Sequence, residues 1–233
     1  MKILGVIPAR GGSKGLPNKN IRLLGGQPLI VHTIQAAASS QVFDKILVTT
    51  DSENIRQIAI SAGAEAPFLR ESSLATDTAL AVAVIQDATR RAIDFFGCEF
   101  EAVCMLQPTT PLRTAEDCKN VSEILAADKT LDSVISVVEV SQHPYKMIRK
   151  SRDGLMIPFL DWPVENPPRQ SLPKLFNYNG AFYLTRTNVL MEAGSFKGAK
   201  SHLYEMPFER SVNIDNEFDF EMAKIICSRE KRD

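Results

Sequence analysis

ILGVIPARGGSKGLPNKN, the stretch at residues 3–20, runs from a short apolar segment into a glycine-rich loop that carries three cations. The segment 2–7 is apolar after Lys2 and ends at Pro8, which is typical of a buried β-strand. The apolar residues of 28–40 follow helical spacing, and 45–50 is again a short apolar run. A strand, a helix and a second strand this close together predict a parallel sheet covered by helices.

The same alternation continues along most of the chain. Further strands are predicted at 102–106 and 133–140, and further helices at 53–62, 78–96, 115–127, 189–193 and 216–228. Gly63 is predicted to end the second helix, and Thr76-Asp77 to cap the third. We therefore predict an α/β fold of three layers with a mostly parallel sheet, in a single domain of residues 1–233.

The segment 142–173 departs from this alternation because it is rich in proline and lacks helical periodicity. It also holds the only tryptophan, Trp162. Apolar pairs such as Met156-Ile157 and Phe159-Leu160 are unusual in a solvated linker, and a partner subunit could bury them. We predict an inserted arm that mediates a homodimer.

The bulk composition excludes several classes of protein. The net charge is −1 with 24% charged residues, so no global field favours nucleic acid or a membrane surface. No apolar run is long enough to span a bilayer, and Arg10 and Lys14 interrupt the first apolar run too early for a signal peptide. The four cysteines show no metal-ligand spacing, so we expect reduced cysteines in a cytoplasmic protein.

The glycine loop matches neither of the two common nucleotide loops. No glycine precedes a Lys-Ser or Lys-Thr pair as in a Walker A loop, and the spacing of a dinucleotide fingerprint is missing. Adjacent glycines can still form a concave nest for anionic oxygens, beside the Ser13 hydroxyl and the side chains of Arg10, Lys14 and Lys19. This chemistry suits a triphosphate; the alternative is an ordinary turn with solvated bases.

Charge is distributed unevenly along the chain. Residues 1–43 carry bases and no acid, whereas 205–221 hold six acids and a single base. If the two segments meet in space, they suit a polyanion together with a divalent metal. If they do not, they are two solvated surfaces.

Several dispersed segments together resemble one family. They occur in order along the chain: PARGGSKGLPNKN (8–20), VTTDS (48–52), FLRESSLATDTA (68–79), LQPTTPLR (106–113), HPYK (143–146), PPRQSLP (167–173), NGAFY (179–183) and SVNIDNEFDF (211–220). The chain resembles the CMP-sialic acid synthetase (acylneuraminate cytidylyltransferase) family, which includes the CMP-legionaminic and CMP-pseudaminic acid synthetases. The resemblance implies a Rossmann-like nucleotidyltransferase fold and a homodimer.

It also implies a reaction and a set of site residues. CMP would pass from CTP to the anomeric oxygen of a sialic acid-type nonulosonic acid, with Mg²⁺ or Mn²⁺ assisting and pyrophosphate leaving. The residues that would hold the triphosphate are Arg10, Ser13, Lys14 and Lys19. Those that would contact the cytidine or its ribose are Asn20, Arg70, Thr76 and Gln107. Lys146 and Arg169 would face the sugar acid or the partner's site, and Asp215 would bind the metal and, with Arg10 and Lys19, support catalysis.

One position departs from the family pattern. Asn213 stands where the family has the first of two aspartates, two residues before Asp215. Alternate residues of an extended strand share a face, so both can reach one metal, but Asn213 lends an oxygen without charge. Glu217 and Asp219 are either substitutes for the missing carboxylate or first-turn acids of a helix.

Other residues and functions stay open at this stage. Asp51 is either a ribose or metal contact or a helix cap, and His143 is predicted to be a turn residue rather than a base. Alternatives to the main reading are a nucleotidyltransferase for 3-deoxy-octulosonate or a sugar 1-phosphate, and a nucleotide-binding protein with impaired chemistry. A dinucleotide-dependent oxidoreductase is disfavoured by the loop spacing.

Overall fold

The computed structural model describes residues 1–12, 15–161 and 168–230, which form a central sheet with helices on both faces. The strands are β1 (Ile3–Pro8), β2 (Leu23–Leu24), β3 (Gln27–Pro28), β4 (Lys45–Thr49), β5 (Ala102–Met105), β6 (Ser133–Glu139), β7 (Ile148–Lys150), β8 (Met156–Pro158), β9 (Phe176–Arg186) and β10 (Ser201–Glu205). The helices are α1 (Leu29–Ser40), α2 (Glu53–Ser61), α3 (Ala81–Phe96), α4 (Ala115–Ala127), α5 (Thr187–Glu192) and α6 (Glu217–Glu230). Within these ranges, no helix is both long and apolar enough to cross a membrane.

The six-stranded sheet has the order β10-β6-β9-β5-β1-β4. Strand β9 runs antiparallel to its neighbours β5 and β6, and the other neighbouring pairs are parallel. This confirms a mostly parallel α/β sheet. Strands β9 and β10 were not predicted from the sequence.

Alternate residues of β1 explain the three layers. Ile3 and Ile7 point to one face and pack in a core with residues of α1, α2 and α4. Leu4 and Val6 point to the other face and pack with residues of α3 and α5. A strand buried on both faces reads as a continuous apolar run, which is why the first segment of the chain shows no alternation.

The predicted cap of α3 is wrong, and Asp51, one of whose two open roles was a cap, does not cap α2. Helix α3 begins at Ala81 rather than at 78, and its cap position is Leu80, which makes no side-chain capping bond. Thr76 and Asp77 lie along a cavity described below instead of capping the helix. Ser52, rather than Asp51, caps α2, since its hydroxyl accepts a hydrogen bond from the Ile55 amide at 3.4 Å.

The proline-rich segment forms a small separate hairpin. Strands β7 and β8 pair antiparallel, and a backbone bond from Phe159 N to Met147 O (2.9 Å) extends the hairpin. Its large apolar side chains are exposed: Ile148, Leu155, Met156 and Phe159 are each more than half accessible. Residues 162–167, including Trp162, lie outside the described residues. The homodimer stays a prediction.

A third apolar cluster joins α6 to the loop after β1. Leu16 and Leu24 from the N-terminal part pack with Ile214 and Phe220 from the C-terminal part, and all four are almost fully buried. A hydrogen bond from Ile214 N to Thr109 O at 2.8 Å also ties this C-terminal segment to the loop after β5. The segment 213–215 is therefore placed beside the glycine loop although nearly 200 residues separate them.

A buried carboxylate anchors the chain just before this segment. Asp117, in the first turn of α4, is 1% exposed and accepts two hydrogen bonds from Arg210, at 2.9 and 3.0 Å. Tyr204 Oη and the Thr114 amide each donate a further bond at 2.9 Å. Burial alone would raise the pKa of Asp117, but these donors outweigh it and hold the pKa below its ordinary value.

Substitution of Asp117 with asparagine is expected to lower the free energy of unfolding at pH 7 by about 2 kcal/mol, because it removes the carboxylate that Arg210 binds. A carboxylate with a depressed folded-state pKa stabilises the fold above its unfolded pKa, near 4, and the stabilisation is lost as the pH falls through the folded value. Urea unfolding between pH 2 and pH 7 measures both effects. The difference between the wild type and Asp117→Asn should shrink at the acid end; a constant difference would contradict the role of the charge.

Candidate active site

A cavity of about 490 Å³ lies beyond the carboxyl ends of β1 and β5, where parallel α/β sheets bind ligands. Pro8 ends β1, and Gln107 follows β5 by two residues; both line the cavity. Most of the predicted site residues meet there: Arg10, Lys19, Asn20, Arg70, Thr76, Gln107, Asn213 and Asp215. Ser13 and Lys14 lie outside the described residues.

Arg70 contributes a buried cation to the cavity wall. Its side chain is only 4% exposed, and the Nε and Nη2 atoms find no hydrogen-bond acceptor in the described part of the chain. The nearest carboxylate oxygen, Asp51 Oδ1, is 3.7 Å from Nη2, which is too long for a hydrogen bond. Burial lowers the pKa of Arg70, and the Asp51 carboxylate partly opposes this effect. A buried cation in the wall of an open cavity suits a ligand with anionic or polar oxygens.

Asp51 braces the glycine loop. Its Oδ1 atom accepts a hydrogen bond from the Gly11 amide at 2.9 Å. Asp51 is not among the residues that line the cavity, and it does not cap α2. The carboxylate therefore holds the Gly11 amide and lies 3.7 Å from the Arg70 guanidinium.

Arg10 spans the cavity to the opposite loop. Its Nη1 atom lies 2.6 Å from Asp77 Oδ1, while its carbonyl accepts a hydrogen bond from Asn20 Nδ2 at 3.0 Å. Asn20 is itself only 6% exposed, so this bond holds the backbone of the glycine loop against a buried side chain. A polyphosphate entering the cavity would compete with Asp77 for the Arg10 guanidinium.

Lys19 joins the glycine loop to the C-terminal segment. Its Nζ atom donates to Ile214 O at 2.8 Å and to Asp215 Oδ1 at 3.2 Å. The backbones also touch closely here, since a Cβ atom on Gly15 would lie 2.6 Å from Asp215 O. Nearby, Arg22 forms two short bonds with Glu217, one of them at 2.6 Å. The basic and acidic segments of the sequence therefore meet in the fold.

The donor set beside Lys19 fits a divalent metal that arrives with phosphate oxygens. The Asp215 side chain is 67% exposed and lines the cavity together with Asn213. The described ranges contain no cluster of three or more acidic, histidine or cysteine side chains that could hold a metal by themselves. Mg²⁺ needs only one or two carboxylates when phosphate and water supply its other ligands.

Glu217 and Asp219 do not replace the missing carboxylate. Glu217 pairs with Arg22, and Asp219 Oδ2 accepts bonds from the amides of Asp215 and Asn216 at 2.9 and 3.1 Å. Neither side chain lines the cavity. Both are first-turn acids of α6.

Lys146 and Arg169 lie together, but in a different place. They line a second cavity of about 240 Å³ with Ser141, Gln142, His143 and Met147, and none of these residues borders the first cavity. His143 is a turn residue, as predicted: its Nδ1 accepts from the Tyr145 amide at 3.3 Å, and its Nε2 bonds Pro173 O at 3.0 Å. The structure thus separates the two predicted sugar-side cations from the cavity that holds Arg10 and Asp215.

Two buried groups behind Gln107 position it, and sequence reasoning assigned neither this role. Gly180 has a φ of +80°, and a Cβ atom there would overlap the Gln107 side chain, so the close approach requires glycine. Arg113 is 3% exposed and donates from Nη2 to the Gln107 carbonyl; burial lowers the pKa of its guanidinium to about 10. Both groups belong to segments that carry the family resemblance in the sequence, Arg113 to LQPTTPLR and Gly180 to NGAFY. Asn179, which precedes Gly180, accepts a hydrogen bond from Ser136 Oγ at 2.6 Å in the core and does not line the cavity.

A phosphate-type cation set and an exposed carboxylate at the strand ends of a three-layer α/β sheet define a nucleotide-binding protein of the Rossmann-like class. Residues 4–151 match the family described as cytidylyltransferase. The chain belongs to this family.

Individual relatives agree with the resemblance seen in the sequence. The chain is 37% identical to an N-acylneuraminate cytidylyltransferase of Escherichia coli O18:K1:H7, over 99% of this chain and 53% of that protein. It is 36% identical to a CMP-N,N'-diacetyllegionaminic acid synthase of Legionella pneumophila, over 96% of this chain and 95% of that protein. It therefore spans about half of the first relative and nearly all of the second.

Among solved structures, a CMP:2-keto-3-deoxy-manno-octonic acid synthetase complexed with CTP superimposes with a TM-score of 0.73. The match covers 99% of this chain and 100% of that one at 16% identity. At this identity the likeness shows the fold alone, and it confirms the predicted Rossmann-like nucleotidyltransferase fold.

Proposed function

We propose that this protein transfers CMP from CTP to the anomeric oxygen of a sialic acid-type nonulosonic acid and releases pyrophosphate. One observation carries the proposal: Arg70, a cation whose side chain is only 4% exposed, lines the same cavity as Arg10, Lys19 and Asp215. Membership of the cytidylyltransferase family and relatives named for N-acylneuraminate and legionaminic acid support the choice of CTP and of the acceptor class.

In this reaction the anomeric hydroxyl gives up its proton to water, its oxygen forms a bond to the α-phosphorus of CTP, and the bond from that phosphorus to the bridging oxygen breaks. The electron pair leaves with pyrophosphate. Such transfers depend on positioning and on neutralisation of charge more than on covalent catalysis. Arg10 and Lys19 supply two cations for the phosphates, and the bond from Lys19 to Asp215 keeps the Lys19 charge beside the proposed metal ligand.

A bound Mg²⁺ or Mn²⁺ would neutralise phosphate charge, and Asp215 would hold it with Asn213 alongside. Asn20, Arg70, Thr76 and Gln107 form the remaining polar wall and are assigned to the cytidine and its ribose. Ser13 and Lys14 are assigned to the triphosphate on the basis of the family resemblance.

The protein is further proposed to act as a homodimer. The exposed apolar side chains of the β7–β8 hairpin would be buried against a second copy. The cationic cavity of Lys146 and Arg169 is distinct from the main cavity of its own chain, which suits a contribution to the partner's sugar site. Four free cysteines support a cytoplasmic location.

The test is release of pyrophosphate by the protein with CTP, MgCl₂ and a panel of acceptors. We expect release with at least one of N-acetylneuraminic, legionaminic or pseudaminic acid, and none when the acid is omitted or when ATP replaces CTP. The panel also contains 3-deoxy-octulosonate and sugar 1-phosphates. Release with only one of these would replace the proposed acceptor class, whereas CTP binding without release for any acceptor would favour an impaired nucleotide-binding protein.

A further inference from the structure

The Asp215 carboxylate is held by donors on both of its oxygens. Lys19 Nζ lies 3.2 Å from Oδ1, and Asn213 Nδ2 donates to Oδ2 at 2.9 Å. Lys19 is itself fixed by its bond to the Ile214 carbonyl, and its side chain is only 14% exposed. The carboxylate is therefore oriented within the described residues by protein donors alone, with lone pairs left for a further cation.

An aspartate at position 213 would change this arrangement in kind. The atom of residue 213 that faces Asp215 would become a second carboxylate oxygen at hydrogen-bond distance, and two anions so close repel unless a cation lies between them. With asparagine the contact is attractive instead. The single charge of Asp215 is also offset by the ammonium group of Lys19, so the protein offers a free divalent cation little net negative charge.

We propose that Asn213 is a positioning residue and that Asp215 is the one anionic protein ligand of this metal site. The Asn213 amide orients the Asp215 carboxylate before any metal binds. A divalent cation then binds together with the nucleotide rather than before it. This inference rests on the proposed function only for the identity of the nucleotide. The chain supports it elsewhere, because Glu217 and Asp219, the next acids in sequence, are both engaged away from the cavity.

The experiment measures metal binding without catalysis. Equilibrium dialysis with MnCl₂ as the probe gives the Mn²⁺ retained by the wild type, by Asn213→Asp and by a control variant, Asn54→Asp. Asn54 is exposed in the first turn of α2 and lies outside the cavity. Its substitution therefore adds the same charge away from the proposed metal site. We expect Asn213→Asp to bind Mn²⁺ at least about tenfold more tightly than the wild type in the absence of nucleotide, and Asn54→Asp to match the wild type.

Thermal unfolding gives a second readout. In EDTA, Asn213→Asp should unfold a few degrees below the wild type because of the new repulsion, and MnCl₂ should remove the difference. The wild type should show no rise in Tm with MnCl₂ alone. A wild type that retains Mn²⁺ as tightly as Asn213→Asp, or that is stabilised by MnCl₂ without nucleotide, would overturn the inference.

Dialysis of the wild type with CTP present needs no variant to fold. The protein should retain about one Mn²⁺ per chain with CTP and none specifically without it. Specific retention of Mn²⁺ by the wild type without CTP would overturn the inference about Asn213. Absence of retention in both conditions, with the Asn213→Asp difference intact, would instead count against CTP as the ligand, so the two failures are distinguishable.

Discussion

Substitution of Asp215 with asparagine is expected to lower kcat/KM for CMP transfer by about 10³-fold. The change preserves the size of the side chain and removes the carboxylate that accepts a hydrogen bond from the Lys19 ammonium group in the cavity. Metal-assisted charge neutralisation and the orientation of Lys19 would be lost together. The loss should fall mainly on kcat, because the contacts assigned to cytidine, such as that of Arg70, lie on other parts of the wall.

The measurement is steady-state pyrophosphate release with the best acceptor from the panel. Asp94→Asn is the matched control, since Asp94 is exposed on α3 and outside the cavity, and its activity should stay within about twofold of the wild type. Because the Asp215 side chain is 67% exposed, its substitution should cost little stability. An Asp215→Asn protein that is folded and retains near-normal kcat would remove Asp215 from the proposed mechanism.

Substitution of Lys19 with methionine is expected to reduce kcat by about 10²-fold, with a smaller rise in KM for CTP. Methionine keeps the apolar stem of the largely buried side chain but removes the ammonium group. The cavity then loses a cation for the departing phosphates, and the 214–215 segment loses its bonds to the glycine loop. Lys45→Met serves as the control, because Lys45 lies on a surface strand position and pairs with Glu65 at a long 3.9 Å.

Coupling between these two residues gives a sharper check than either variant alone. Their side chains touch at 3.2 Å, so the double variant should lose less activity than the product of the two single losses. If the loss in the double variant equals the product of the two single losses, Lys19 and Asp215 act independently. That result would contradict a mechanism in which the two residues act together.

Local sequence rules located several elements correctly. Helix α4 runs over Ala115–Ala127 as predicted, because Thr114 and Asp117 form a reciprocal capping box at its start. Helix α1 begins one residue after Pro28, which suits a helix entrance. These signals are local, since each depends on residues within one turn of the boundary.

Elements that depend on distant partners were missed. Strand β9 contains polar residues and a register irregularity opposite Ile135 and Val137, so its sequence does not look like a buried strand. Its Asn179 is nevertheless buried, because Ser136 and Ser211 supply hydrogen bonds from other parts of the chain. The start of α3 was misplaced for a similar reason: Thr76 and Asp77 resemble a cap, but Asp77 is paired with Arg10 across the cavity.

The sequence by itself determined the alternating α/β fold and the family, because periodicity and ordered motifs are properties of the chain alone. Only the tertiary structure decided that Lys19 and Asp215 meet, that Asp51 braces Gly11, and that Asn213 donates to Asp215. It also separated Lys146 and Arg169 from the main cavity. The physical reason is that a hydrogen bond requires a distance of about 3 Å, and the separation of two residues along the chain does not give their distance in space. Lys19 and Asp215 come together because the apolar cluster around Ile214 and Phe220 packs α6 against the loop.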